Sequence, residues 1–458
     1  MYFQPDSRVK MGRCSMRIGR WCVATLMVLV TEAFAESSGS ILLPALTQSD
    51  EQWDEWADEA AAPQESPFHW RGFVEGLAGG RVYDNPVIDN DMTAAELRAR
   101  VEVDGYWNEL FASVKVDGVV DQVTEEETLD LREAYLQLPV SNQADLKLGR
   151  QVLTWGTGDL LFLNDLFPKD WQAFFAGRDM EYLKAPSDAV KVSYFTEAVN
   201  IDLVWFPVFN EDHYLTGQRF SYFSSMSNGL QAAPPELSGR APENNRVSDE
   251  FALRIFRQWH GLEVAAYGYH GYFRQPLGFD MVHQSPYFPE MNSAGVSLRG
   301  PIERAIVNFE TAYYDAADNR NGSNPLLPHS QWRALLGAER ELVSELTASI
   351  QLYVEKMEHY TKYKSTTTNQ RRSVPEWRQV YTFRLTEQRL RGNWTNSLFL
   401  FYSPSDRDYF LLPSISYRYS DHLQTELGAR VFGGHQPQTF FAQFEENSNV
   451  YLRLRYSF

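Results

Sequence analysis

Cysteine is nearly missing from this 458-residue chain: there are two, Cys14 and Cys22, both within the first 35 residues. The rest of the chain therefore has no disulfide framework and no thiolate chemistry. Long apolar runs are missing too. The longest, from Trp21 to Val30, falls well below the roughly 20 residues of a spanning helix. Positive charge is scarce, with 42 Lys and Arg against 60 Asp and Glu and a formal net charge of -18, which disfavours a nucleic-acid partner. The nine histidines are scattered without metal-ligand spacing, and no phosphate loop or dinucleotide fingerprint is present. No cofactor, metal or catalytic chemistry is implied by this inventory.

The two ends of the chain are informative. Arg13, Arg17 and Arg20 precede the apolar run, and Ala33-Phe34-Ala35 follows it as a small-x-small cleavage pattern. Residues 1–35 read as a secretory signal peptide cleaved near Ala35, with Met1, Met11 and Met16 all workable initiators. Removing its five basic and two acidic residues leaves 37 basic and 58 acidic side chains in 423 residues. Residues 36–66 are Ser-, Glu- and Ala-rich around DEQWDEWADEAAAPQES and read as a flexible acidic segment. At the other end, Val450, Leu452, Leu454, Tyr456 and Phe458 share one parity, and Tyr451, Arg453, Arg455 and Ser457 the other. On a strand this gives one apolar and one cationic face. A barrel wall with lipid outside and water inside accommodates both.

The same alternation recurs from residue 67 to 458. Leu97, Ala99, Val101 and Val103 alternate with Arg98, Arg100, Glu102 and Asp104. Leu110 to Asp117, Leu346 to Glu355 and Leu427 to Val431 follow the same rule, where a helix would place its charges at a 3.6 period. Short connectors, as at Tyr106-Trp107, Ser141-Asn142, Gly300-Pro301 and Ser420-Asp421, alternate with long ones at residues 154–187, 209–246, 275–292, 316–330 and 360–375. The expected fold is all-β: a transmembrane antiparallel up-and-down β-barrel of about 18 strands (16–18). A barrel of that size encloses an aqueous interior.

Residues 148–179, LGRQVLTWGTGDLLFLNDLFPKDWQAFFAGRD, are too apolar to stand in water as an ordinary loop. Gly156 and Gly158 permit sharp turns, and Pro168 suits the first residue of a short helix with Asp165 near its start. Trp171, Phe174 and Phe175 then share a helical face, and Trp155 is placed at the outer interface, where aromatic rings anchor. We expect this loop to fold into the lumen and gate the pore.

The strand LREAYLQL (131–138), followed by Leu148-Gly149-Arg150-Gln151 and Trp155-Gly156, resembles the porin-like and alginate-export-like barrels of Gram-negative outer membranes. The likeness covers about 60 residues, and the aromatic carboxy-terminal strand Val450–Phe458 resembles their signal for the barrel-insertion machinery. The resemblance implies an outer-membrane channel in contact with lipid and lipopolysaccharide, working as a homotrimer or with a periplasmic transport partner. By analogy with the arginine-lined lumens of polysaccharide exporters, Arg98, Arg100, Arg132 and Arg150 would line the wall, although Glu102, Asp130 and Glu133 are interleaved.

The alternation adds Lys115, Asp117, Lys191, Arg254, Glu426, Arg430, Arg453 and Arg455 as inward charges, and the loop adds Asp159, Asp165, Lys169, Asp170, Arg178 and Asp179. The function so implied is passive passage of small hydrophilic or anionic organic solutes. The alternative is an exporter or a barrel for lipids and hydrophobic compounds, served by its aromatic loops and a periplasmic partner. An outer-membrane hydrolase is the remaining class. Ser225 to Gly229 faintly resembles a phospholipase serine segment without a nearby histidine, and Asp212-His213 resembles a protease dyad.

Overall fold

The computed structural model describes residues 67–224, 227–244, 248–366 and 374–458. The expected signal peptide and the acidic segment 36–66 lie outside the described residues, as do Ser225 and Met226. From Phe68 onward the two-residue period becomes a wall of strands: β1 (Phe68–Arg81), β2 (Met92–Trp107), β3 (Leu110–Asp121), β4 (Glu126–Ser141), β5 (Ala144–Val152), β6 (Pro186–Phe195) and β7 (Asn200–Phe206). The next connector carries a small hairpin of β8 (Tyr222–Ser224) and β9 (Gly229–Gln231), and a later one carries β12 (Gly278–Asp280) and β13 (Ser285–Tyr287). Between them the wall continues with β10 (Glu250–Trp259) and β11 (Leu262–Tyr272). It is completed by β14 (Glu290–Ile302), β15 (Ala305–Ala316), β16 (Gln331–Val343), β17 (Leu346–Met357), β18 (Trp377–Arg389), β19 (Trp394–Ser403), β20 (Asp408–Arg418), β21 (Leu423–Gly434) and β22 (Asn449–Ser457).

These form one 18-stranded antiparallel sheet in which each wall strand pairs with its neighbour in the chain. β22 returns to β1, in register from Phe73↔Ser457 to Arg81↔Asn449, so the sheet closes and no edge remains to pair with another chain. The seam includes the last residue: Gly72 N–H donates to the Phe458 carbonyl at 3.0 Å, and Phe458 N–H to the Gly72 carbonyl at 2.9 Å.

The parity of β22 is the one expected from the sequence. Val450, Leu452 and Leu454 are 46%, 53% and 45% exposed on the outside, while Tyr451 and Arg453 are 2% and 7% exposed on the inside. Val101, Val103, Val114, Ile350 and Leu427 add to the same apolar exterior. Apolar surface left in water costs about 25 cal/mol per Å², whereas a bilayer takes up such a belt and leaves the polar inner face to water.

Short turns at 108–109, 142–143, 260–261, 303–304 and 344–345 gather at the end where the wall begins and ends, and the long connectors gather at the other. Two turns differ from the expected positions: Tyr106 and Trp107 end β2, with Trp107 paired to Leu110 and the turn at 108–109, and the other expected turn is Gly300-Pro301. The strand runs through Gly300-Pro301 to Ile302, which pairs with Ala305, and the turn falls at Glu303-Arg304. Proline is tolerated there because it lies at the last positions of the strand, where one missing N–H removes little pairing.

Candidate functional site

Segment 153–185, between β5 and β6, leaves the wall for 33 residues. It contains a six-residue helix, Trp171–Ala176. The helix starts three residues after Pro168. Asp170 is its N-cap, with its Oδ1 accepting from Ala173 N–H at 2.7 Å, because a side-chain acceptor satisfies a first-turn N–H that has no partner within the helix. The helix ends at Gly177, whose φ of 82° is left-handed, and a Cβ there would run into the Tyr451 ring. A Cβ on Gly158 would collide with the Leu161 carbonyl, so the tight turn after Trp155 requires glycine at that place.

Two kinds of contact join this segment to the inner wall. The first is apolar. Phe174 and Phe175 are each 4% exposed and belong to a cluster with Phe399, Phe401, Phe410 and Phe432 of β19–β21. Phe175 meets Phe432 edge-on at 4.9 Å and Phe410 at 5.6 Å between ring centres. The Phe174 and Phe175 carbonyls accept from Arg430 Nε at 2.9 Å and Asn449 Nδ2 at 3.1 Å. Trp155 packs on Phe167 at 4.9 Å and on Tyr267 of the inner wall at 6.0 Å. It therefore does not sit in an outer aromatic interface as expected, because its neighbours are inward-facing rings.

The second kind is ionic. Asp159 pairs with Arg384 of β18 at 2.9 Å, and β18 is nine strands from β5 around the closed sheet in either direction. Arg178 holds Glu96 of β2 through Nε and Nη2 at 2.8 and 2.7 Å. Tyr182 donates to Asp117 Oδ2 at 2.8 Å and accepts from Arg100 Nη2 at 2.6 Å. The guanidiniums of Arg98, Arg100 and Arg132 lie 4.3, 4.8 and 4.6 Å from its ring centre. Asp165 accepts from Lys169 Nζ at 2.9 Å, with both side chains 3% exposed.

The residues proposed from sequence are thus placed as follows. Arg98 and Arg100 share Asp117, at 3.0 and 2.6 Å. Glu102 pairs with Arg71 at 2.7 Å. Arg132 is the extra residue of a bulge opposite Lys115 and Val116, and donates to the Glu181 and Lys184 carbonyls at 2.6 and 3.1 Å. Arg254 pairs with Glu263 at 2.7 Å, and Arg453 with Glu426 and Asp179 at 3.0 and 3.3 Å. Arg150 is the exception. It pairs across strands with Ala134 and Asp188 and bonds Asp188 at 2.9 Å, at the parity opposite to fully buried Gln151. It faces the outside of the wall and does not line the lumen.

The pair Asp212-His213 is not assembled as a dyad. Asp212 accepts from Lys169 N–H and Trp171 Nε1, both at 2.8 Å, and His213 Nδ1 lies 3.1 Å from Asp170 Oδ2. These contacts clamp the connector after β7 onto the inserted segment. Asp170 raises the His213 pKa above its ordinary value, and burial and Arg178 act in the opposite sense. Burial opposes ionisation of Asp170, yet His213, Arg178 and the Ala173 N–H hold its carboxyl at about 2.

The clamp is therefore fully present between about pH 4 and about pH 6.5, the unperturbed values of the two groups. It is lost as pH rises through the folded His213 pKa, and again as pH falls toward that of Asp170. An NMR titration should give His213 a pKa above the free-imidazole value that drops on Asp170→Asn. A wild-type pKa at or below that value contradicts the pairing.

Sequence reasoning missed Glu96, Glu310 and Tyr182. Glu96 continues the inward series of Arg98 and Arg100 by two residues, so the period itself points to it. Glu310 and Tyr182 gain their roles from segments far away in the chain.

A cavity of about 660 Å³ lies against the inserted segment, lined among others by Arg299, Arg384, Arg453, Asp159 and Glu426. Six cationic and four acidic side chains face it.

No family model matches the chain, and no curated protein matches it in sequence. Solved structures match its fold at low identity. OccAB4 of Acinetobacter baumannii superposes with a TM-score of 0.53 at 10% identity, over 87% of this chain and 100% of that one. OccAB3 of the same organism gives 0.51 at 9%, over 85% and 99%. OccK11 (OpdR) of Pseudomonas aeruginosa gives 0.50 at 8%, over 85% and 95%. What the chain shares with them is the architecture: a closed antiparallel β-barrel spanning nearly the whole length of each partner.

Proposed function

We propose that the chain is an outer-membrane channel for passive passage of small hydrophilic solutes, with organic anions favoured, and that segment 153–185 folds into the lumen as its constriction. The observation that carries this reading is the Asp159–Arg384 pair. It ties the segment to the strand opposite its origin in an 18-stranded ring, and a ring of that size leaves an aqueous interior when nothing fills it. The apolar exterior supports contact with lipid and lipopolysaccharide.

The excess of cations over acids around the adjoining cavity supports a preference for anions, because rings of charge at close quarters set selectivity. No reaction is required of any residue in this scheme. Asp165, Lys169, Asp170 and Arg178 position the constriction, and Arg98, Arg100, Glu102, Arg132, Arg254, Arg430 and Arg453 form the charged wall.

Planar-bilayer recording of the refolded protein in a salt gradient tests this directly. Discrete conductance steps with a reversal potential on the anion side are expected. A well-folded barrel that carries no current contradicts the channel, and a cation-side potential contradicts the preference.

A further inference from the structure

One buried charge has no part in the ionic network. Glu310 of β15 is fully buried, and among the described residues no arginine or lysine pairs with it. Its carboxylate is held by the inserted segment alone. Oε1 accepts from the Thr157 N–H, from Thr157 Oγ1 at 2.8 Å and from the Gly158 N–H at 2.8 Å. Oε2 accepts from Asn164 Nδ2 at 2.8 Å.

Two neighbours on the inner wall extend the arrangement. Asn308 Nδ2 donates to the Thr157 carbonyl at 2.9 Å. Gln351 of β17 accepts from Asp159 N–H and donates to the Asp159 carbonyl, both at 2.9 Å. Side chains of the wall thus bond consecutive backbone groups of the segment as an adjacent strand would.

We propose that Glu310 is the latch that holds the 156–164 stretch across the lumen and so sets the width of the pore, an inference that rests on the channel reading. Charge-assisted bonds are the strong ones, and all four donors come from a single stretch. Lifting that stretch removes every donor from the carboxylate together, so it is held or released as a unit. Neither Phe174 nor Phe175 supplies this restraint, since both act on the helix further along. Glutamine at this position would turn an amide N–H₂ toward N–H donors and lose part of the hold. Alanine would lose all of it.

The test uses the full chain, with a nitroxide on a cysteine introduced at Leu161, beside Glu310 Ala or Gln replacements. Glu310→Ala is expected to raise single-channel conductance by roughly two-fold or more and to mobilise the label, with the heat-resistant gel mobility of the barrel unchanged. Glu310→Gln should fall between. Wild-type conductance together with an immobile label in Glu310→Ala overturns the proposal. Should Glu310→Ala fail to fold, the double variant Thr157→Val/Asn164→Ala, which removes two of the four donors from the Glu310 carboxylate, must mobilise the same label, and an immobile label there overturns it. If the wild type carries no current, the channel reading fails, and label mobility alone still decides whether Glu310 is the latch.

Discussion

Replacing Arg178 with alanine is expected to cost about 3–5 kcal/mol, the range for breaking a buried ion pair from one side. Glu96 would lose its bidentate partner and keep weaker contacts, with Arg98 at 3.6 Å and Arg219 at 3.3 Å. Its side chain is 2% exposed, so water does not replace the lost donors while the segment stays docked.

Undocking the segment hydrates Glu96 and limits the damage. The loss therefore falls on the segment and spares the barrel. Amides of 171–183 should exchange faster by the corresponding factor, while those of β1–β5 keep their protection. Lysine at 178 should recover less than half of the effect, because an ammonium does not reproduce the fork that two carboxylate oxygens require. Unchanged exchange in 171–183 would falsify the claim that this pair holds the segment down.

The second large effect is expected at Phe175. Truncation to alanine removes a ring that touches Phe220, Phe410, Phe432 and Phe444 edge-on, at 4.9 to 6.2 Å between centres. Phenylalanine-to-alanine changes in packed interiors cost about 3–5 kcal/mol. The cavity left behind is walled by β20 and β21, which their own pairing holds in place, so it cannot collapse.

Leucine should recover most of the loss, since it refills the volume without the edge-to-face geometry. Arg178→Ala and Phe175→Ala act on one rigid segment, so their combined effect should be smaller than the sum of the two. Strict additivity would mean that helix and ion pair are restrained independently. Segmental exchange on the single and double variants distinguishes the two.

Much of this molecule was legible in its period-two pattern, and what escaped has identifiable causes. The wall was readable because lipid and water impose opposite demands on alternate residues, as Leu452 and Arg453 show. The inserted segment was readable as something other than a solvent loop because Phe174 and Phe175 have no place in water.

Arg150 was misplaced through analogy with arginine-lined exporters. It follows Leu146 and Leu148 at the same parity, so the period puts it outside with them. Trp155 reads as an interface anchor when its indole is considered alone, and only the fold brings Phe167 and Tyr267 against it. Glu310 was not legible at all. Its four bonds reach groups about 150 residues earlier in the chain, and a single carboxylate on an inward position carries no sign of such a partner.

The central claim is that segment 153–185 narrows an otherwise open barrel. Single-channel conductance of the full-length protein beside a variant with residues 156–183 replaced by a short glycine–serine linker tests it most directly, with barrel formation verified by heat-resistant gel mobility. The expected result is small, discrete steps from the full-length chain and distinctly larger, less selective steps from the shortened one. Equal conductance from two well-folded barrels, or silence from both, would contradict the account.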